Sequence, residues 1–516
     1  MNQLPFTSIN FGTCTLPEGR LIIKAILDIS IKGIGKKHRT SIFPCGIFQY
    51  KKEINGDKDS PNHDLYRLAL KSTAKRLYPN YLNLDWTNQK KAILDDRNMR
   101  KEVLAQMNNQ DKIKLVNIIK QNPEIGKRLK LYINNNKLNI DMKEDVCEIS
   151  STMGCRTWNG YDINYQKIFE KNIQRVLNGE DLHDEYFLSG AQKDGRGNIA
   201  PVTIIMPTLA EEIVQSGSEN VVEDFMKLLD EKINEAKEML IERNDYICAQ
   251  NAKSAQFMYE NGTMFGYNTD DYYNCPEKGV KDAIIHGTLA IGQIGIAETL
   301  QILIGTNQIT NEGMELAKRI ENLFYIRCNE FKHQYHLNFS VYMTPAENLC
   351  KKAMDLFKKR FGVIPNVSDK KFFTNSIHCP VWSKLDPFEK IDIEAQLTNY
   401  SNAGTIMYVE LKDEILKNID ALEELVNYAM DKDLSYFAIN VPADFCSDCG
   451  YTGEIPNTCP KCGSSHIQRL RRVTGYLTGD YVTAFNEGKQ QEVEMRFNNS
   501  SLIKTSFYDE VKRENK

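Results

Sequence analysis

Apolar residues recur at helical spacing over 63–78, 219–243, 280–304, 312–328, 346–360 and 413–431. In each stretch, positions at i, i+3, i+4 and i+7 make one face that must be buried, which predicts an amphipathic helix. Short apolar runs lie between them at 200–206 (APVTIIM), 337–343 (LNFSVYM) and 405–411 (TIMYVEL), and these read as strands. Residues 1–20 read as a strand, a turn and a helix beginning after Pro17. Alternating strands and helices over this length predict an α/β architecture, with helices outside a sheet or barrel. Residues 86–143 differ, because Lys, Asn, Asp and Gln dominate around patches such as DKIKLVNIIKQ. That stretch reads as a helical surface insertion, a solvated decoration with no visible chemistry. From about Val441 the chain turns to short Gly- and Cys-rich elements, so a small module follows the α/β part.

Length and charge narrow the classes. The 516 residues, 41% of them hydrophobic, can bury a large core. A formal net charge of −4 leaves no electrostatic footprint for sequence-independent nucleic-acid binding. Met1–Gly12 has no apolar signal-peptide core, and no stretch has the roughly 18 apolar residues of a membrane span. A soluble, cytoplasmic protein with no nucleic-acid or membrane partner is expected. The thirteen cysteines are odd in number and mostly scattered, which favours metal ligation or thiol chemistry over a disulfide framework.

One cysteine cluster is tight. Cys446 and Cys449 form one C-x-x-C knuckle, and Cys459 and Cys462 form a second. Two knuckles supply the tetrahedral thiolate set that Zn²⁺ prefers, with Gly450 and Gly463 suited to the turns. Four thiolates leave no open position, so the zinc is expected to be structural. A nucleic-acid-binding zinc ribbon is the rival use, but the segment lacks a basic, aromatic face beyond Arg469, Arg471 and Arg472.

Directly after the module comes Arg471-Arg472-Val473-Thr474-Gly475-Tyr476-Leu477. This stretch resembles the glycyl-radical signature, and with the upstream knuckles it resembles the anaerobic (class III) ribonucleoside-triphosphate reductases. The later run Ala484–Val493 is similar to that family's tail. An unpaired electron on a backbone Cα is stabilised when amide and carbonyl both delocalise it. That needs a near-planar Cα, which a side chain would hinder. The resemblance therefore assigns radical storage to Gly475, with the radical installed by a separate radical-S-adenosylmethionine activase.

Ser151–Thr157 (STMGCRT) resembles the family's finger loop, which implies that Cys155 becomes the thiyl that takes the 3′ hydrogen from ribose. Asp194–Asn198 (DGRGN) resembles a loop whose asparagine orients substrate, so Asn198 is carried over. Tyr342–Asn348 (YMTPAEN) resembles the family's T-P-S-E-N stretch with Ala346 in place of Ser. Glu347 would bond ribose or relay a proton there, and Tyr342 would line the pocket. Thr374–His378 (TNSIH) resembles a T-N-S-x-H segment, with His378 open to a structural reading. A pyruvate formate-lyase-like enzyme is the nearest alternative, but Cys155 has no cysteine neighbour. An inactive or split-gene fragment with a structural zinc ribbon is the other.

The resemblance implies a ten-stranded glycyl-radical α/β barrel, incomplete at its N-terminal side. The expected division is 1–440 barrel with the insertion at 86–143, 441–468 zinc module, and 469–516 radical loop and tail. It implies ribonucleoside triphosphates as substrates, formate or a thioredoxin-like protein as reductant, and a homodimer in the complete enzyme. The family's ATP-binding cone and first barrel elements find no match here, which leaves three readings: a split gene with the N-terminal portion on another, complementing chain, a truncated or mis-started gene, or a decayed remnant. The chain is expected to fold well only with a complementing N-terminal piece. Cys14 is expected to be a buried free thiol.

Overall fold

The computed structural model describes residues 7–121, 129–134, 137–142, 151–152, 157–180, 195–473, 475 and 477–502. The first sheet holds β1 (Ser8–Phe11), β2 (Cys45–Tyr50) and β3 (Asn80–Asn83), all parallel. Two further strands lie among the last elements of the α/β part, and between come the hairpin β4 (Leu129–Asn134) and β5 (Lys137–Met142). The second sheet is β6 (Asn198–Ile205), β7 (Thr288–Ile294) and β8 (Asn338–Met343), again parallel. Then β9 (Met407–Glu410) and β10 (Tyr436–Asn440) return to the first sheet, whose order is β1-β2-β3-β10-β9. The β3/β10 seam is antiparallel. Ala403 N–H bonds the Val341 carbonyl at 2.9 Å and Met343 N–H bonds the Gly404 carbonyl at 3.2 Å, so the approach to β9 ties both sheets together. The result is an eight-strand series in two antiparallel halves, with helices outside. Each sheet has its own apolar core, one around Ile47, Phe48 and Ile439 and the other around Leu289, Ile291 and Phe324.

The helix expected at 280–304 is instead the short helix Lys281–Ile284, strand β7 and the helix Ile296–Ile304. Strand β7 is buried at every position, so its sequence is apolar throughout and carries no period-two signature. Glycines break the run, and Gly295 adopts φ +79, where a side chain would be strained. The stretch 413–431 likewise divides into a 3₁₀ turn and the helix Ile419–Asp431, whose N-terminal N–H groups are capped by Asn418.

The insertion is no solvated decoration. Its helices Thr87–Gln106 and Asn109–Gln121 pack Met99, Leu104 and Leu115 against Phe169 and Ile173 of the helix Tyr165–Leu177. Asp96 and Arg100 form a fully buried ion pair at 2.6 Å. The polar composition misled because buried charges paired at i,i+4 look like surface charges in a sequence. Cys14 also differs from expectation: it is exposed, in the turn before the helix Pro17–Lys32.

After β10 the chain forms a separate small sheet, β12-β11-β13-β14, from β11 (Ala443–Cys446), β12 (Thr452–Gly453), β13 (Ile467–Arg472) and β14 (Leu477–Asp480). Among the described residues, no helix is long and apolar enough to cross a membrane.

Candidate active site and metal centre

Gly475 lies buried in the turn between β13 and β14, against the start of β3. Its carbonyl oxygen accepts from Asn80 Nδ2 at 3.2 Å and from Arg472 Nη1 at 3.0 Å. Arg472 also donates to Asn440 Oδ1 at 2.7 Å and to the Leu77 carbonyl at 2.6 Å. Leu477 N–H donates to the Tyr78 hydroxyl at 3.0 Å. The turn is therefore held by groups at the ends of β3 and β10, the two strands of the antiparallel seam.

Cys155 lies outside the described residues, as do Met153, Gly154 and Arg156. The chain on either side is tied to the barrel. Asn10 of β1 grips the backbone of Thr152, donating from Nδ2 to its carbonyl at 3.1 Å and accepting from its N–H at 3.3 Å. On the other side, Trp158 N–H donates to the Ala403 carbonyl at 3.0 Å. Asn10 pairs in register with Ile47, and Ile47 with Asn80. The residue gripping Thr152 and the residue holding Gly475 thus share one row of the sheet.

Asn198 opens β6 at a bulge, where the register with β7 shifts between Asn198 and Ala200. A bulge re-aims the side chain beside it. Among the described residues, the buried Asn198 Oδ1 has no hydrogen-bond partner. The preceding Arg196 is fixed by a buried network: Nε donates to the His286 carbonyl at 2.8 Å, and Asp162 lies 3.9 Å away. Asp162 meets His286 Nδ1 at 2.6 Å and accepts from Asn338 Nδ2 at 2.8 Å. Burial alone would raise the Asp162 carboxyl, but Arg196 and His286 hold it below the usual carboxylate range.

Tyr342 sits on β8, buried beside Ala290 and Ala403. Its row runs through Gly292 to Thr203, whereas Asn198 shares a row with Thr288 and Asn338. Those rows are four residues apart along β8, about 13 Å at the strand rise. Gly292 lets the strands pass, since a Cβ there would lie 2.2 Å from Thr344 Oγ1. Glu347, partly exposed, follows β8, and its carbonyl accepts from Asn486 Nδ2 of the tail at 3.3 Å. His378 is buried with Nδ1 2.9 Å from Glu394, whose other oxygen accepts from Cys379 N–H at 3.0 Å. This partnership favours the structural reading of His378.

The four cysteines of the small module converge. Their sulfurs lie within 4.8 Å of one another, with Cys446–Cys462 at 3.6 Å and Cys449–Cys459 at 3.5 Å. A tetrahedral ion with metal–sulfur bonds of about 2.3 Å needs edges of about 3.8 Å, so the set fits a metal. Gly450 and Gly463 have φ of +76 and +73 and close each knuckle back onto Cys446 and Cys459. The Cys449 N–H, aimed at Cys446, helps lower that thiol to about 6, toward the thiolate a metal requires.

The family model for anaerobic ribonucleoside-triphosphate reductase matches residues 2–498. The chain belongs to this family. It is 31% identical to the anaerobic ribonucleoside-triphosphate reductase of Escherichia coli over 507 residues, 96% of this chain and 58% of that protein. Against the reductase of enterobacteria phage T4 it is 28% identical over 501 residues, covering 95% of this chain and 67% of the phage protein. The chain thus spans little more than half the length of the bacterial reductases it matches. Among solved structures, an anaerobic ribonucleotide reductase superposes with a TM-score of 0.60 at 16% identity, covering 96% of this chain and 64% of that one. A hydroxyproline dehydratase from Clostridioides difficile superposes at 0.51 with 13% identity, over 96% of this chain and 57% of its own. These likenesses show a shared α/β barrel fold; in this chain the Cys₄ module follows it.

Sequence reading did not find Asn10, Asn80, Asp162 or His286, and quoted Arg196 and Arg472 only as parts of motifs. For the two asparagines the available signal was faint: a polar residue at a buried strand position needs a partner.

Proposed function

We propose that this chain carries the radical-storing and substrate-activating part of an anaerobic ribonucleoside-triphosphate reductase. Gly475 stores the radical, and Cys155 relays it to ribose as a thiyl. The hydrogen atom passes from the Cys155 sulfur to the Gly475 Cα, and the thiyl then takes the 3′ hydrogen. The S–H bond is close in strength to the C–H bonds on either side, so both steps are near balance. Asn198 orients the ribose hydroxyls, Tyr342 lines the pocket, and Glu347 relays a proton as the 2′ hydroxyl leaves as water. Four thiolates hold a structural Zn²⁺ that anchors the radical loop to the barrel.

The observation that carries this reading is the shared row of Asn10 and Asn80, which anchors Thr152 and Gly475 to one sheet. Activation falls to a radical-S-adenosylmethionine enzyme, and electrons come from formate or a thioredoxin-like protein. The working enzyme is a cytoplasmic homodimer that includes the remaining part of the family's length, in the same chain or another. In support, β1 and β6 each keep one unpaired edge among the described residues. A groove of about 250 Å³ beside β1 is lined by Ile9, Phe11, Ile26, Ile29 and Tyr78.

The test is electron paramagnetic resonance on the chain co-expressed anaerobically with an activase, with Gly475→Ala as control. A doublet from one strongly coupled α-hydrogen, absent in the variant, supports the radical assignment. A doublet that persists in Gly475→Ala would overturn it.

A further inference from the structure

The Gly475 carbonyl is an unusual acceptor because both of its described donors are side chains, and one carries a charge. Arg472 is 1% exposed. Its three described hydrogen bonds all go to neutral oxygens, on Asn440, Gly475 and Leu77. Among the described residues no carboxylate forms an ion pair with it, and the Tyr78 ring lies 5.3 Å from the guanidinium carbon. An uncompensated buried cation is costly. Asn80 is equally constrained: its amide donates both to Gly475 and to the Tyr436 hydroxyl, at 2.9 Å.

We propose that Asn80 and Arg472 tune the radical at Gly475 through the two hydrogen bonds they donate to its carbonyl oxygen. The inference rests on the reading of Gly475 as the radical residue. When the unpaired electron on Cα delocalises, the contributing form places positive charge on the amide nitrogen and negative charge on the carbonyl oxygen. Donors fixed at that oxygen favour this form without any rearrangement, as preorganised donors do wherever charge develops. They therefore stabilise the radical relative to intact glycine. In the exchange with Cys155, an S–H bond breaks, a C–H bond forms at Gly475, and the unpaired electron passes to sulfur. Donors at the carbonyl hold that exchange toward the glycyl side, so the radical is stored on carbon until substrate arrives.

Arg472 as a mere staple for the turn would leave the radical's electronic structure alone, so the test reads that structure directly. Electron–nuclear double resonance on the activated full chain, in H₂O and then D₂O, should show exchangeable proton couplings from two N–H donors at the carbonyl. Asn80→Leu should remove one of them. It should also change the g-anisotropy and lower radical yield by roughly threefold or more. Arg472→Lys, which keeps the charge and loses the fork, should alter the second. The unmodified chain is decisive by itself if either variant fails to fold, because absence of exchangeable couplings beyond those of the α-hydrogen and the backbone amides overturns the inference. A Gly475 doublet with couplings unchanged in Asn80→Leu also overturns it, while leaving the radical assignment intact. Absence of any doublet in the unmodified chain overturns both.

Discussion

Asn10 and Asn80 lie in one register row of the first sheet, two strands apart, with Ile47 between them. Row partners on parallel strands point to the same face, and strands are about 4.8 Å apart, so the two Cα atoms are roughly 10 Å apart. One amide grips the backbone of Thr152 and the other holds the carbonyl of Gly475. The separation of the two anchors is thus set by strand spacing, among the stiffest dimensions a protein has.

Asn10→Ala removes both bonds to Thr152 at a cost of about 1–2 kcal/mol in stability. The radical should still form at Gly475, but hydrogen exchange between Gly475 and the thiol should slow by about tenfold or more, as expected for lost positioning. The measurement is the rate at which the doublet collapses to a singlet in D₂O, since the thiol hydrogen exchanges with solvent. An unchanged rate would remove Asn10 from any positioning role.

Asp162→Asn removes the buried carboxylate that lies 3.9 Å from Arg196 and holds His286 and Asn338, and should cost about 3 kcal/mol in urea unfolding. Because the Asp162 carboxyl is held low in the folded state, its contribution is present above the unfolded-state pKa. It is lost as pH falls through the folded value. The variant should therefore lose stability at neutral pH and show a flatter acid limb. If Arg196 positions Asn198, substrate KM should rise more than kcat falls.

Glu321 gives the opposite sign. It is fully buried on the helix Asn311–Tyr335, accepts from Gln293 Nε2 at 2.7 Å, and burial pushes its carboxyl up to about 8. Among the described residues Glu321 Oε2 and Gln293 Oε1 both lack partners, an arrangement a protonated acid resolves by donating to the amide oxygen. The stability this acid confers is full below its unfolded pKa and declines as pH rises toward about 8, by up to about 1.4 kcal/mol per unit. Glu321→Gln should flatten that decline in thermal unfolding between pH 5 and pH 8. An identical slope in the variant would show the carboxyl to be ionised in the fold.

Cys459→Ser should abolish binding of the metal ion, because three thiolates and a hydroxyl hold zinc far less well. Elemental analysis after chelator dialysis reads the loss. The turn carrying Gly475 follows directly from β13, so the radical yield should fall as well, while the helices of the barrel keep their circular dichroism. Retained zinc in the variant would contradict a four-sulfur site.

Most helices and four of the strands (β1, β6, β8 and β9) were legible from their apolar runs and spacing. Strand β7 was not, since burial on both faces erases the alternation that marks a strand. The insertion misled for the converse reason, its buried Asp96–Arg100 pair being indistinguishable in sequence from surface charge. At the site, the cysteine knuckles and the Gly475 loop announce themselves because their chemistry demands fixed spacing. Asn10 and Asn80 do not, because their partners are 142 and 395 residues away in sequence.

At Thr152 and at Gly475 the two asparagines bond main-chain atoms of the segments they hold. Such grips are indifferent to the side chains they hold in place. The barrel can therefore keep its address for each segment while the residues within it are exchanged, so this sheet row seats two segments by position whatever their side chains.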